Sequence, residues 1–256
     1  MIMTISQALL LFGAALIAGV LNSVAGGGSF FTFPALLFTG VPAIPANATS
    51  TVAVWPGSVA SATAYRKRLP RNARMLAPMM IASVAGGLAG ATLLLHTPQA
   101  VFLRLIPFLF IAATLFFAFG KKVFKAPGPA DNKPPSALTI GGVSLLQFVT
   151  GIYGGFFGGG MGILMLAFLT LLPLGDIHAM NSVKTILGTL INGVAIAAFV
   201  VARIIYWPQG VLMLTAAIIG GYCGAHFAQK INPARVRTFV IAVGFTISFI
   251  FLLKYR

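Results

Sequence analysis

The residues best equipped for chemistry in this chain are hydrogen-bond donors rather than acids or nucleophiles. Asn22 precedes three consecutive glycines, Gly26, Gly27 and Gly28, and Ser29 follows them. A shift of 132 residues lays Gly19 on Gly151 and the triplet on Gly158, Gly159 and Gly160. Glycine is about 1 kcal/mol less favourable than alanine in a helix interior, so each triplet, set between apolar runs, marks where one helix stops and another starts. A helix N-terminus carries unpaired N–H groups and about half a positive charge, and so it attracts an anion. Ser29 opens one such helix. Thr49 or Ser50 is placed to cap the next, and Ser182, beside Asn181, to cap the equivalent helix of the second half; serine and threonine are favoured caps.

Lys184 lies two residues beyond Ser182, in the first turn of the helix expected there. A cation in that turn opposes the helix dipole, and a lysine within an apolar segment is expensive. A bound anion removes both penalties. The structural alternative is a side chain that snorkels to the surface, which is the better account of Arg104. His178 and Asp176, beside the same helix start, fit either a proton relay or a solvated pair. The single cysteine, Cys223, forms no internal disulfide and reads as a packed small residue, and three scattered histidines have no metal-ligand spacing. No cofactor is expected, and without a nucleophile, an acid/base pair or a metal cluster the chain does not read as an enzyme.

The elements that must position these residues are membrane helices. Hydrophobic residues make up 59% of the 256 and charged residues 7%, with a mean hydropathy of +1.00, far from the roughly 25% charge of a soluble domain. Long runs of Leu, Ile, Phe, Ala and Gly without alternation argue for helices and against a β-barrel. Segments are expected at about Thr4 to Leu21, Ser29 to Thr39, Thr49 to Tyr65, Met75 to Leu95 and Pro98 to Gly120. The order then repeats at Ala137 to Phe156, Met161 to Leu172, Ser182 to Ile205, Gly210 to Gln229 and Pro233 to Leu253. The first is read as a retained helix rather than a signal peptide. The second segment of each half is too short for the ~20 residues of a full crossing, so each is a half-helix or a strongly tilted one entering at the glycine break. Residues 121–136, rich in Pro and Gly, form a linker between a first repeat, 1–120, and a second, 137–256.

The net charge of +15 sits in loops. Arg66, Lys67, Arg68, Arg71 and Arg74 form one cluster, Lys121, Lys122, Lys125 and Lys133 a second, and Lys230, Arg235 and Arg237 a third. Cytoplasmic loops of membrane proteins collect such residues, and nucleic acid is not needed to explain them. Equivalent loops of the two halves carry opposite bias: five basic residues follow the third segment of the first half, but one, Arg203, follows its counterpart. After the fourth segment the bias reverses. Inverted repeats predict this antisymmetry, so the fold class is an all-α polytopic membrane protein of two inverted-topology repeats with glycine-broken helices. About ten segments are expected, with eight as the alternative count, and both termini face outward. Only two carboxylates, Asp131 and Asp176, occur in the chain. A cation pathway normally needs buried carboxylates, whereas this composition suits an anion.

Ala25-Gly-Gly-Gly-Ser29, Pro34-Ala-Leu-Leu-Phe38, Gly40-Val-Pro42, Ala46-Asn-Ala-Thr-Ser50 and the second glycine block together resemble the TauE/SafE family of sulfite and organosulfonate exporters. The resemblance covers nearly the whole chain. It implies proton-motive-force-linked movement of small sulfur-containing anions, such as sulfite or sulfoacetate, across a bacterial inner membrane, with the lipid bilayer as the surrounding partner. It also marks Asn22, Gly26, Gly27, Gly28, Pro34, Thr49 and Ser50 as motif positions. The second half departs from the motif, with Asn181-Ser182-Val183-Lys184 standing where the first half has Ala48-Thr49-Ser50-Thr51. Substrate contacts are expected from Asn22, Gly26, Gly27, Gly28, Ser29, Thr49, Ser50, Gly158, Gly159, Gly160, Asn181, Ser182 and Lys184. An anion channel, or a permease for other small carboxylates, would use the same donors. A homodimer is left open as the assembly state.

Overall fold

The computed structural model describes residues 3–24, 28–70, 72–123, 135–174, 177–227 and 233–254, and these form helices joined by short turns, with no strand among them. In chain order the helices are α1 (Ile5–Val24), α2 (Ser29–Phe38), α3 (Ala43–Tyr65), a single 3-10 turn (Arg66–Arg68), α4 (Ala73–His96), α5 (Gln99–Val123), α6 (Ala137–Phe156), α7 (Met161–Leu169), α8 (Ile177–Val201), α9 (Trp207–Phe227) and α10 (Pro233–Lys254). Every expected segment is present. Windows within α1, α4, α5, α6 and α8 are long and apolar enough to cross a membrane, and α2 is a shorter apolar helix. At nine residues α7 is shorter still, so the segment after each glycine break covers only part of a bilayer. The chain is a multi-pass membrane protein.

Two helix starts differ from expectation. α3 begins at Ala43, after Pro42, so Thr49 and Ser50 lie inside it and cap nothing. Pro45 is tolerated in the first turn because its missing N–H would have had no helical partner, and the Ile44 N–H is satisfied by Gln99 Oε1 at 3.2 Å. α8 likewise begins at Ile177 rather than at a Ser182 cap. Ser182 is buried inside the helix and donates back to the Ala179 carbonyl (2.7 Å), a bond within α8 rather than a cap. Lys184 therefore stands about two turns inside α8, not in its first turn. α2 and α7 do start directly after their glycine triplets, at Ser29 and Met161. Cys223 is exposed rather than packed.

Small residues set the two tightest seams. A methyl group on Gly86 would collide with the Phe148 carbonyl and one on Gly90 with the Ile152 carbonyl, so α4 and α6 touch backbone to backbone. Gly19 against Ala217 and Gly220 against Leu16 do the same for α1 and α9. Close approach of this kind is what small residues provide in a membrane bundle, where water contributes no hydrophobic drive between helices. The seams are counterparts, since exchanging the halves turns the α4/α6 pair into the α9/α1 pair.

Contacts along the helices give their directions. Along α3, Thr49 meets Tyr206, Trp55 meets Thr189 and Gly193, and the Ser58 to Ser61 turn shares a cavity with Lys184 and Thr185. The partner numbers fall as α3 advances, so α3 and α8 run antiparallel. α5 and α10 do likewise, with Gly244 on Thr114 and Phe251 on Phe110. α4 and α6 run parallel, as Ser83 with Gln147 and Gly90 with Ile152 show. At the far end of α2, Gln7 Nε2 donates to the Thr39 carbonyl (3.3 Å) and Lys254 Nζ lies 5.9 Å from the Phe38 ring centre. The outer ends of α1 and α10 thus share one end of the bundle.

Candidate functional site

Both glycine breaks open onto one cavity of about 220 Å³. Its walls are the end of α1 (Asn22), the start of α2 (Ser29), the second half of α3 (Val54, Gly57, Ser58, Ser61), the second break and α7 (Gly158, Gly160, Met161, Gly162 and beyond), and α8 (Lys184, Thr185, Gly188, Asn192). The described glycines of the two breaks differ in conformation. In the second, Gly158 and Gly160 adopt φ of 81° and 75°, a left-handed conformation that favours glycine. Gly160 is the residue before α7 and makes no side-chain cap, and the Tyr153 hydroxyl ties the turn by donating to the Gly159 carbonyl. In the first, Gly28 has ordinary helical angles. Its N–H is taken by Asn22 Oδ1 at 2.8 Å, so a side chain near the end of α1 is bonded to the residue that precedes α2.

Lys184 is the only cationic side chain among the described residues that line the cavity, and it lies along the start of α7. A methyl group at Gly162 would sit 3.4 Å from Lys184 Cδ, so the glycine makes room for the lysine stem beside the positive end of the α7 dipole. Among the described residues the ammonium has no hydrogen-bond or ion-pair partner, and no carboxylate is present among them, because Asp131 and Asp176 fall outside that set. One turn and two turns further along α8 are Gly188 and Asn192; Asn192 is 7% exposed, and its amide has no protein partner among the described residues. With Asn22, Ser29, Ser58 and Ser61 these groups offer N–H and O–H donors around one positive charge, while the Thr185 hydroxyl donates back within α8 and presents only its oxygen. Such a donor set can replace the hydration shell of a small anion.

The cavity brings together Asn22, Ser29, Gly158, Gly160 and Lys184 from the residues expected in the site. Gly28 stands behind Asn22. Gly159 faces a second, much smaller void of about 10 Å³ instead. Thr49, Ser50, Asn181 and Ser182 do not line the cavity. Thr49 Oγ1 accepts the Tyr206 N–H (3.0 Å), Ser50 bonds to Thr32 (2.6 Å), and Asn181 offers its carbonyl to Thr185 Oγ1 (2.9 Å). These groups join helices or bond within one, because the helices start earlier than a cap at Thr49 or Ser182 would require. Gly26 and Gly27 lie outside the described residues. Arg104 and His178 are exposed and away from the cavity. Ser58, Ser61, Gly188 and Asn192 were missed, although Lys184, Gly188 and Asn192 recur every four residues and so mark one face of a helix.

The model of the family described as "Sulfite exporter TauE/SafE" matches residues 11–251. Over 237 residues the chain is 29% identical to a probable membrane transporter protein of Haemophilus influenzae, covering 92% of this chain and 91% of that one. It is 30% identical over 239 residues to a probable membrane transporter protein of Sinorhizobium sp, covering 93% and 89%. It is 30% identical over 253 residues to the probable membrane transporter protein YfcA of Escherichia coli, covering 93% and 87%. No solved structure matches.

Proposed function

The chain belongs to the sulfite exporter TauE/SafE family and is a membrane transporter, and from that premise we propose that it is a secondary transporter exporting a small sulfur-containing anion, sulfite or an organosulfonate such as sulfoacetate, across a bacterial inner membrane. The observation that carries this reading is the cavity itself. Two glycine breaks from opposite halves meet there, around one lysine and a ring of neutral donors. Lys184 supplies a charge-assisted hydrogen bond to the oxyanion, and the α7 N-terminus adds its partial positive charge. Asn192, Ser58 and Ser61 fill remaining oxygen lone pairs. Apolar residues on the α7 side, Met161, Ile163 and Leu166, leave room for a short organic tail.

Two inverted-topology repeats, 1–120 and 137–256 joined by the linker 121–136, account for the packing. The antiparallel course of α3 against α8 and of α5 against α10, each helix with its own counterpart, supports inversion, since parallel repeats would run equivalent helices the same way. Directions followed along the helices bring the end of α3 and the starts of α4, α6 and α10 to one face. The arrangement supports a cytoplasmic location for all three basic clusters, with the termini opposite. Single cysteines in the 66–74 and 230–237 loops should label only from the cytoplasm, and one after Lys254 only from outside; a cytoplasmic C-terminus would rule out the five-plus-five count.

The substrate is tested on purified protein by thermal shift with sulfite, sulfoacetate, taurine, sulfate and simple carboxylates. Ligand that binds only the folded state raises its stability by about 2.7 kcal/mol at a hundred times Kd. Stabilisation by sulfite or sulfoacetate is expected. Stabilisation by carboxylates alone would remove the sulfur anion and leave an organic-acid transporter.

A further inference from the structure

We propose, building on the transporter reading, that this conformation is open toward the face of the Arg66–Arg68 turn, and that the way to the opposite face is closed by a phenylalanine seal latched by Asn47. The direction follows from α3. Its buried residues, Ala43 to Ala53, all lie in the first half, while Val54, Gly57, Ser58 and Ser61 line the cavity. The change comes at Pro56-Gly57, where proline removes one helical hydrogen bond and its neighbour meets open space. Ser61 is one turn before Tyr65, and the exposed Arg66, Lys67 and Arg68 follow directly. A basic turn beside the opening attracts anions to it.

Toward the other face the cavity ends at Ser29, which also lines the second void. At about 10 Å³ that void is the size of a single water. Its walls are Phe30, Phe33, Phe110, Phe157, Asn47 and Gly159. The rings interlock: Phe33 stacks on Phe110 at 5.8 Å and meets Phe157 edge-on at 6.0 Å, and Phe110 meets Phe157 at 5.4 Å and Phe30 at 5.4 Å. A hydrated anion does not pass such a layer, because an apolar constriction this narrow holds no continuous water. The contributors matter for opening. Phe30 and Phe33 belong to the helix after the first glycine break, and Phe157 begins the second, so movement at either break separates the rings.

Asn47 holds the layer in place as a positioning residue. It is 4% exposed, and its Nδ2 donates to the Phe156 carbonyl at 3.1 Å, joining α3 to the last residue of α6, next to Phe157. The bond crosses between the halves. Breaking it frees Phe157 without removing any ring.

The test is sided labelling with a membrane-impermeant maleimide, on the full chain with Cys223→Ser, in vesicles of both orientations. It requires no substrate, so it stands or falls separately from the assignment of the cargo. Ser58→Cys and Ser29→Cys should react from the Arg66–Arg68 face and not from the opposite face. Adding Asn47→Leu should raise opposite-face labelling of Ser29→Cys by roughly tenfold, the population shift expected from one lost interhelical hydrogen bond. Phe157→Ala should open it further, and unchanged labelling of Ser58→Cys certifies that each variant is folded. Opposite-face labelling of Ser29→Cys with the seal intact would overturn the proposal, whatever the fate of the variants. So would an unchanged opposite-face rate in a folded Asn47→Leu protein. One-sided labelling that becomes two-sided in a protein that binds no tested anion would keep the seal and discard the cargo.

Discussion

The two glycine breaks share a sequence signature, and the residues described at each meet the same cavity with different geometry. In the second break Gly158 and Gly160 adopt left-handed conformations, and α7 begins beside Lys184, the one lysine among the described residues that line the cavity. In the first, Gly28 is right-handed and Asn22 supplies the missing acceptor for its N–H. No cationic side chain stands there among the described residues. A duplicated glycine motif therefore marks two places where helices break without duplicating the side chains described around them. Charge resides at one break and a fixed side-chain amide at the other, and an anion bound between them would be held asymmetrically.

Removing the charge should produce the largest effect. Lys184→Met keeps the stem that packs on Gly162 and deletes a charge-assisted hydrogen bond, a type worth roughly 1.5–3 kcal/mol. Anion affinity should fall by about ten- to a hundred-fold with folding retained, measured by titration calorimetry on purified protein. Unchanged affinity would make the two breaks equivalent after all and leave Lys184 as a snorkelling side chain.

The first break can be probed without undoing its turn. Asn22→Asp still offers an oxygen to the Gly28 N–H, so stability should hold, but the donor edge of the amide becomes a negative charge on the cavity wall. Anion affinity should drop by about tenfold, as expected from roughly 1.4 kcal/mol of like-charge repulsion in a partly hydrated site. Asn22→Ala should show the reverse balance, losing the Gly28 bond and about 1–3 kcal/mol of stability if that N–H is left without water, with less effect on affinity. If both variants changed stability alone, Asn22 would be a structural cap and nothing more.

Much of this was legible in the sequence. The short α2 and α7, each starting directly after a glycine triplet, follow from glycine spacing and apolar run length, which report on backbone propensity. Lys184 was singled out by its cost in an apolar segment, and it lines the cavity. Helix starts were less legible. Thr49 and Ser182 look like caps, but Pro42 and Pro45 start α3 earlier, and Gln99, 55 residues away, satisfies an N–H that no local signal could reveal. The cavity wall from Ser58 to Ser61 was also hidden, because which face of α3 meets α8 depends on the antiparallel crossing. The bond from Gly28 to Asn22 and the left-handed Gly158 and Gly160 could not be read from two identical triplets.

The smallest expected effects are those on stability, and they separate the two turns most cleanly. Alanine at Gly160 or Gly158 must adopt a left-handed conformation costing roughly 1–2 kcal/mol, partly offset by about 0.4–1 kcal/mol from a stiffer unfolded chain. A net loss of about 1 kcal/mol is expected at each, regardless of what stands at position 22. Gly28→Ala has no such conformational cost, since its φ is −56°. Its methyl would instead lie 2.7 Å from Asn22 Nδ2 and 3.0 Å from the Ala18 carbonyl, so it must push the asparagine off its bond. The Gly28→Ala and Asn22→Ala losses should therefore overlap, with a coupling of about 0.5–3 kcal/mol in a double-mutant cycle, while Gly160→Ala and Asn22→Ala should add. The measurement is reversible unfolding in detergent for each single and double variant. Additivity in both cycles would mean that the Asn22 bond to Gly28 contributes nothing to the stability of the first break, and the contrast drawn from that bond would be lost.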